Sequence, residues 1–145
     1  PVRWDSIDSR GRDELFDCDR TISQDDQLMA GPTTTVKNAM LDNAFPSGSA
    51  SLSLHSGDPG ETGLNELSGG SPAYARKSVT LTAASAGTKT YSTGVVTFDV
   101  AAGGTAAYVG VWISGTFKGG FKLPTSSFYP TQGTYQLQPI TIRIP

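Results

Sequence analysis

The sequence predicts an all-β protein: a β-sandwich or jelly-roll-like domain carrying one short N-terminal helix and an extended N-terminal arm. Three observations predict it. Of 145 residues only 17% are charged while 17 are glycine, a balance that favours turn-rich β proteins and is poor for long helices. From residue 50 onward, short runs of alternating apolar and polar side chains recur between Gly, Pro, Ser and Thr clusters. Only one stretch keeps a helical period.

Residues 1–28 hold scattered apolar side chains (Val2, Trp4, Ile7, Leu15, Phe16, Ile22, Leu28) at neither helical nor strand spacing. So much charge with so little apolar surface does not offset the entropy of ordering, so the segment reads as an arm ordered against something else. Met29-Ala-Gly-Pro32 has the form of a protein start. The arm is therefore either an extension that docks on a neighbouring subunit or an upstream addition. Trp4, Leu15 and Phe16 favour the docking arm, because large apolar side chains are the usual anchors of interfaces.

The spacing predicts a helix over residues 33–45. Thr33 or Thr34 caps it after Gly31-Pro32, Val36, Met40 and Ala44 repeat at four-residue intervals beside Leu41 and Phe45, and Pro46 ends it. Such a helix packs on a sheet, and Val36 and Met40 are candidates for contacts with neighbouring subunits.

The strands follow in order. Residues 50–55 alternate with Leu52 and Leu54 on one face, residues 76–83 with Val79, Leu81 and Ala83 inward, and residues 94–100 with Val96, Phe98 and Val100 inward. Residues 106–114 are apolar on both faces, as a central strand should be. Residues 116–123 are interrupted by Gly119-Gly120, which predicts a hairpin or a bulge between Phe117 and Phe121. In the last strand, residues 135–144, the apolar positions change parity across Gln138-Pro139: Tyr135 and Leu137 are odd, Ile140, Ile142 and Ile144 even. A residue lacking an N–H at that point predicts a bulge or a strand that changes sheets.

The net charge of −2 conceals a division. Residues 1–28 hold eight acids against four arginines, net −4, and residues 29–145 five acids against seven bases, net +2. With no basic cluster, nucleic acid is not an expected partner. The longest apolar run, residues 106–113, is far too short to cross a bilayer, so no membrane span is expected. One cysteine, Cys18, cannot form an internal disulfide.

Little in the chain resembles a catalytic or metal site. His55 is the only imidazole and no nucleophile-elbow motif accompanies it, so it reads as a strand-end histidine rather than the base of a small hydrolase. One His and one Cys cannot supply a zinc tetrad, and no cofactor is expected. Asp58, Glu61, Glu66 and Asp99 lack the spacing of a calcium loop, and Asp58-Pro-Gly60 is first a turn. Tyr74, Tyr91, Phe128 and Tyr129 fall in or beside expected loops, where they either stack on sugar rings or protein partners or seal the core.

Thr33-Thr-Thr-Val-Lys-Asn-Ala-Met-Leu-Asp42, Ser51-Leu-Ser-Leu-His-Ser-Gly-Asp-Pro-Gly-Glu-Thr-Gly63, Asn65-Glu-Leu-Ser-Gly-Gly-Ser-Pro-Ala-Tyr-Ala-Arg-Lys-Ser-Val79, Phe98-Asp-Val100 and Ala107-Tyr-Val-Gly-Val-Trp112 resemble a family of small structural proteins of tailed bacteriophages. These are tail-fibre-like proteins, some of them decorating the particle surface. The resemblance runs over residues 29–145, and residues 1–28 depart from it. It implies a β-rich virion module without enzymatic activity, assembled in the bacterial host cytoplasm with other virion proteins and forming a homo-oligomer. Capsid decoration is the favoured placement, because a single domain with a docking arm suits a lattice and neither repeats nor heptads are present. The alternative is a tail-fibre or host-attachment module that binds a surface glycan through the loop aromatics.

Overall fold

The computed structural model of the chain describes residues 31–144. Helix α1 (Thr34–Ala44) precedes eight strands: β1 (Gly48–His55), β2 (Lys77–Leu81), β3 (Thr88–Lys89), β4 (Val96–Val100), β5 (Gly104–Ile113), β6 (Thr116–Tyr129), β7 (Gly133–Leu137) and β8 (Ile142–Arg143). All pairings are antiparallel, in a four-stranded sheet of order β2-β1-β5-β6 and two ribbons, β4-β7 and β3-β8. The all-β fold with one short helix is thus the one the sequence predicts.

The core follows from strand alternation. Ala50, Leu52 and Leu54 of β1, Val79 and Leu81 of β2 and Val109 and Val111 of β5 point from the large sheet onto Val96, Phe98 and Val100 of β4 and Leu137 of β7. These residues are all nearly or completely buried. β5 is the inner strand that its two apolar faces predict. Ala83, expected inward, is exposed, because β2 ends at Leu81 where the chain turns toward Tyr91.

The glycine interruption in β6 is a bulge, not a hairpin. Val111 pairs with Gly119 but Trp112 pairs with Phe117, so Lys118 has no counterpart on β5. The extra residue reverses the alternation. Phe121 therefore packs against the core, while Phe117 is delivered to the opposite face of the sheet against Trp112 at 5.0 Å between centroids. A second irregularity follows: Tyr108 pairs with Lys122 and Ala106 with Ser127, leaving residues 123–126 looped out against Ala107. Beyond it β6 continues to Tyr129, so Phe128 and Tyr129 are strand residues paired with Thr105 and Gly104, not loop residues.

The parity change at Gln138-Pro139 is a change of sheets. β7 pairs with β4 and β8, four residues further on, pairs with β3.

Helix α1 starts at an N-cap Thr33 and ends at Phe45, whose N–H donates to the Leu41 carbonyl. Its rotation differs from the expected stripe. Leu41 is fully buried and Phe45 packs on the core, whereas Val36 and Met40 are about half exposed. The polar groups on the helix decide this. Asn38 Oδ1 accepts from the Gly87 N–H at 2.8 Å, and Asp42 Oδ1 accepts from the Ala84 N–H at 2.9 Å and from Lys89 Nζ at 2.5 Å. Lys89 is 1% exposed, so turning the helix to bury Val36 and Met40 would strip a buried ammonium of its carboxylate.

Candidate functional site

Glycines open the outer face of the large sheet to a covering loop. Gly110 of β5 and Gly120 of β6 pair across the sheet, and residues 56–66 fold over them. A Cβ on Gly110 would stand 2.6 Å from both Ser53 Oγ and His55 Nε2, and a Cβ on Gly120 would stand 2.1 Å from Pro59 Cγ. Pro59 is completely buried there.

Beneath this loop lies a polar cluster that contains a Ser–His pair. Trp112 Nε1–H donates to Ser53 Oγ at 2.7 Å, and Ser53 Oγ stands 2.7 Å from His55 Nε2. His55 Nδ1 lies 2.6 Å from the Leu64 carbonyl, which only accepts, so Nδ1 carries the proton and Nε2 accepts from the serine hydroxyl. The chain of bonds is complete from indole to backbone carbonyl. Burial pushes the His55 pKa down, the Leu64 bond working against it to a lesser degree. Ser53 and His55 are both 0% exposed, so a substrate could reach neither; they fasten residues 56–66 to the sheet.

Around the rim, Arg76 lies over the Trp112 ring at 3.5 Å and holds Glu66 through two bonds, Nε to Oε1 at 2.8 Å and Nη2 to Oε2 at 2.7 Å. That pairing raises the Arg76 pKa further above its ordinary value. Asp99 lies 3.7 Å from Lys77, and Asp58 Oδ1 accepts from the Gly60 N–H in the expected turn. Among the described residues no group of three or more His, Cys, Asp or Glu could hold a metal ion, and no helix is long and apolar enough to cross a membrane.

The four candidate aromatics do not converge. Tyr91 is a correction: it is 3% exposed, its hydroxyl donating to the Gln138 carbonyl at 2.9 Å, because it closes the core where the last strand changes sheets. Tyr74 is half-buried and stacked on Phe98 at 6.2 Å, and its hydroxyl accepts from the Leu54 N–H at 2.7 Å. Tyr129 is half-buried with its hydroxyl donating to the Thr134 carbonyl at 3.0 Å. Phe128, 63% exposed, is the member of the set that faces solvent. Of the candidate contact residues, Val36 and Met40 are displayed on α1, and Trp4, Leu15 and Phe16 lie outside the described residues.

One surface feature escaped sequence reasoning. A groove of about 590 Å³ runs between β6 and the chain from β7 to Thr141, floored by Phe121, Leu123, Tyr135, Leu137 and Ile140. Pro124 and Pro139 both line it. Proline within a strand is confined to edges and bulges, so these two were the available signal.

A buried, internally satisfied polar cluster and a sandwich-like core define a β module with apolar side chains exposed on its helix and lining a groove. Residues 31–126 match the family described as Podophage GP4 fiber I protein gp80, and the chain belongs to that family. It is a bacteriophage structural protein of the fibre type, a component of the virion, as the resemblance implied. Comparison with curated proteins and with solved structures gives no match.

Proposed function

We propose that the protein is a non-enzymatic subunit of the phage tail fibre, which assembles with copies of itself and with other virion proteins. Its contacts are the Val36 and Met40 face of α1 and the arm of residues 1–28, with Trp4, Leu15 and Phe16 as anchors. The observation that carries this reading is the family match over residues 31–126, whose description is that of a fibre protein. That description supports the fibre over capsid decoration, the placement favoured from a single domain with a docking arm and from the lack of repeats and heptads. The geometry agrees with a role in assembly: the His55, Tyr74 and Tyr91 polar groups are spent on internal bonds. A host-glycan reading retains chiefly Phe128, and a single exposed ring is a poor platform for a sugar.

Immunogold labelling of intact particles tests the placement. Label confined to the tail is expected; label confined to heads would establish capsid decoration instead.

A further inference from the structure

Among the described residues two apolar surfaces are left uncovered, and they adjoin. One is the outer face of α1, where Val36 and Met40, one helical turn apart, are 47% and 46% exposed. Ala39, Asn43 and Ala44 share that face and are exposed as well, so it carries no charge. The other is the groove, whose floor is apolar and whose one charged lining residue is Lys122. Phe45, at the end of α1, and Phe121, in the groove floor, lie 6.5 Å apart between ring centroids, so helix and groove are neighbours.

Neither surface fits a second copy of itself. α1 has 11 residues and is about 16 Å long, so two such helices crossing alone bury far less than the roughly 800 Å² per partner of a stable interface. Two copies of β6 meeting edge to edge bring Lys118 and Lys122, both exposed, against their own images. The surfaces do fit each other. At about 590 Å³ the groove has room for two apolar side chains from one helix face, the way helices seat in apolar grooves through residues four apart. α1 has no basic residue in its last turn, and Lys122 has no acidic partner among the described residues, so Lys122 complements the partially negative end of the helix.

We propose that α1 of one copy lies in the groove of a second copy, its Val36 and Met40 on the apolar floor and its C-terminal end at Lys122. Because helix and groove adjoin on each copy, a twofold arrangement makes the contact twice and doubles the buried area. The inference deepens the assembly reading above by naming the surface that receives α1, and rests on it.

Disulfide trapping between two preparations of full-length protein, both carrying Cys18→Ser, tests it. One preparation carries Met40→Cys and the other Gln136→Cys, an exposed position in the groove, with Ser78→Cys on β2 as the control. The two are mixed, oxidised mildly and digested for peptide mass spectrometry. The expected product is a disulfide between positions 40 and 136, absent with Ser78→Cys, weakened severalfold by adding Lys122→Glu to the second chain and unaffected by adding Lys118→Glu. Disulfides that join position 40 to position 40 in preference mean that α1 pairs with α1 and overturn the groove as its seat. No link from 40 to 136 above the Ser78→Cys control, or a link that Lys122→Glu and Lys118→Glu weaken equally, overturns the seating as well. If label is still confined to the tail after such a failure, the fibre reading stands.

Discussion

Pro59 rests directly on Gly120: a Cβ on that glycine would stand 2.1 Å from the Pro59 ring, and the Gly110 position opposite it is equally closed by Ser53 and His55. The covering loop thus depends on two missing side chains. Gly120→Ala and Gly110→Ala are each expected to destabilise the domain by about 1–3 kcal/mol, the usual cost of overpacking. Gly57→Ala, whose Cβ would meet its nearest neighbour at 3.4 Å, serves as the tolerant control. Denaturant midpoints of the three variants check this.

His55 gives the domain a pH dependence of defined sign. Its folded pKa lies below the ordinary 6.5 because the ring is buried, so the unfolded chain binds the proton more readily. Stability is complete above about pH 6.5 and declines as pH falls toward the depressed folded value. The melting temperature should therefore drop between pH 7 and pH 5. His55→Gln should lower stability at pH 7 by about 1–3 kcal/mol, through loss of a buried hydrogen bond, and flatten that pH dependence.

Asp42 governs a more acidic range. The Lys89 ammonium, helped by the Ala84 N–H, holds its carboxyl below the usual range, so its contribution is present above about pH 4 and is lost as pH falls through the depressed value. Lys89 is the buried partner, and removing the acid strands a charge. Asp42→Asn should cost more stability than Lys89→Met, and the double variant should lie nearer to Lys89→Met than to Asp42→Asn. Thermal melts of the four proteins decide the order.

Tyr91 and Phe128 separate core aromatics from displayed ones. Burial pushes the Tyr91 phenol up to about 12, so it should be among the last tyrosines to ionise in an ultraviolet titration. Tyr91→Phe leaves the Gln138 carbonyl without its donor and should cost about 1–3 kcal/mol. Phe128→Ser, at an exposed position, should change stability by less than about 0.5 kcal/mol.

Val36 and Met40 should matter to assembly and not to folding. Val36→Ser with Met40→Ser is expected to leave the melting temperature within a few degrees and to reduce incorporation into particles, measured by complementing a phage that lacks the native protein. Normal incorporation would remove α1 from the set of contacts.

Strand alternation made the core legible in advance, since period-two spacing fixes which of Leu52, Val79, Phe98 and Val111 share a side. The parity shift at Gln138-Pro139 marked a bulge or a change of sheets, and the step from β7 to β8 is the second of these. The helix face was not legible, because apolar spacing favoured Val36 and Met40 while the bonds of Asn38 and Asp42 to a turn some fifty residues away set the rotation. β6 beyond Pro124 was hidden for a related reason: a proline and four looped-out residues break the alternation that marks a strand. The groove is a relationship between two edges, and sequence spacing along either one does not contain it.

The central claim, that the protein is a built-in component of the particle, is tested most directly by quantitative mass spectrometry of gradient-purified virions. The account predicts that it is present in multiple copies per particle, at a fixed ratio to the other virion proteins. Recovery only in the cleared lysate, with none above background in the particle band, would contradict it.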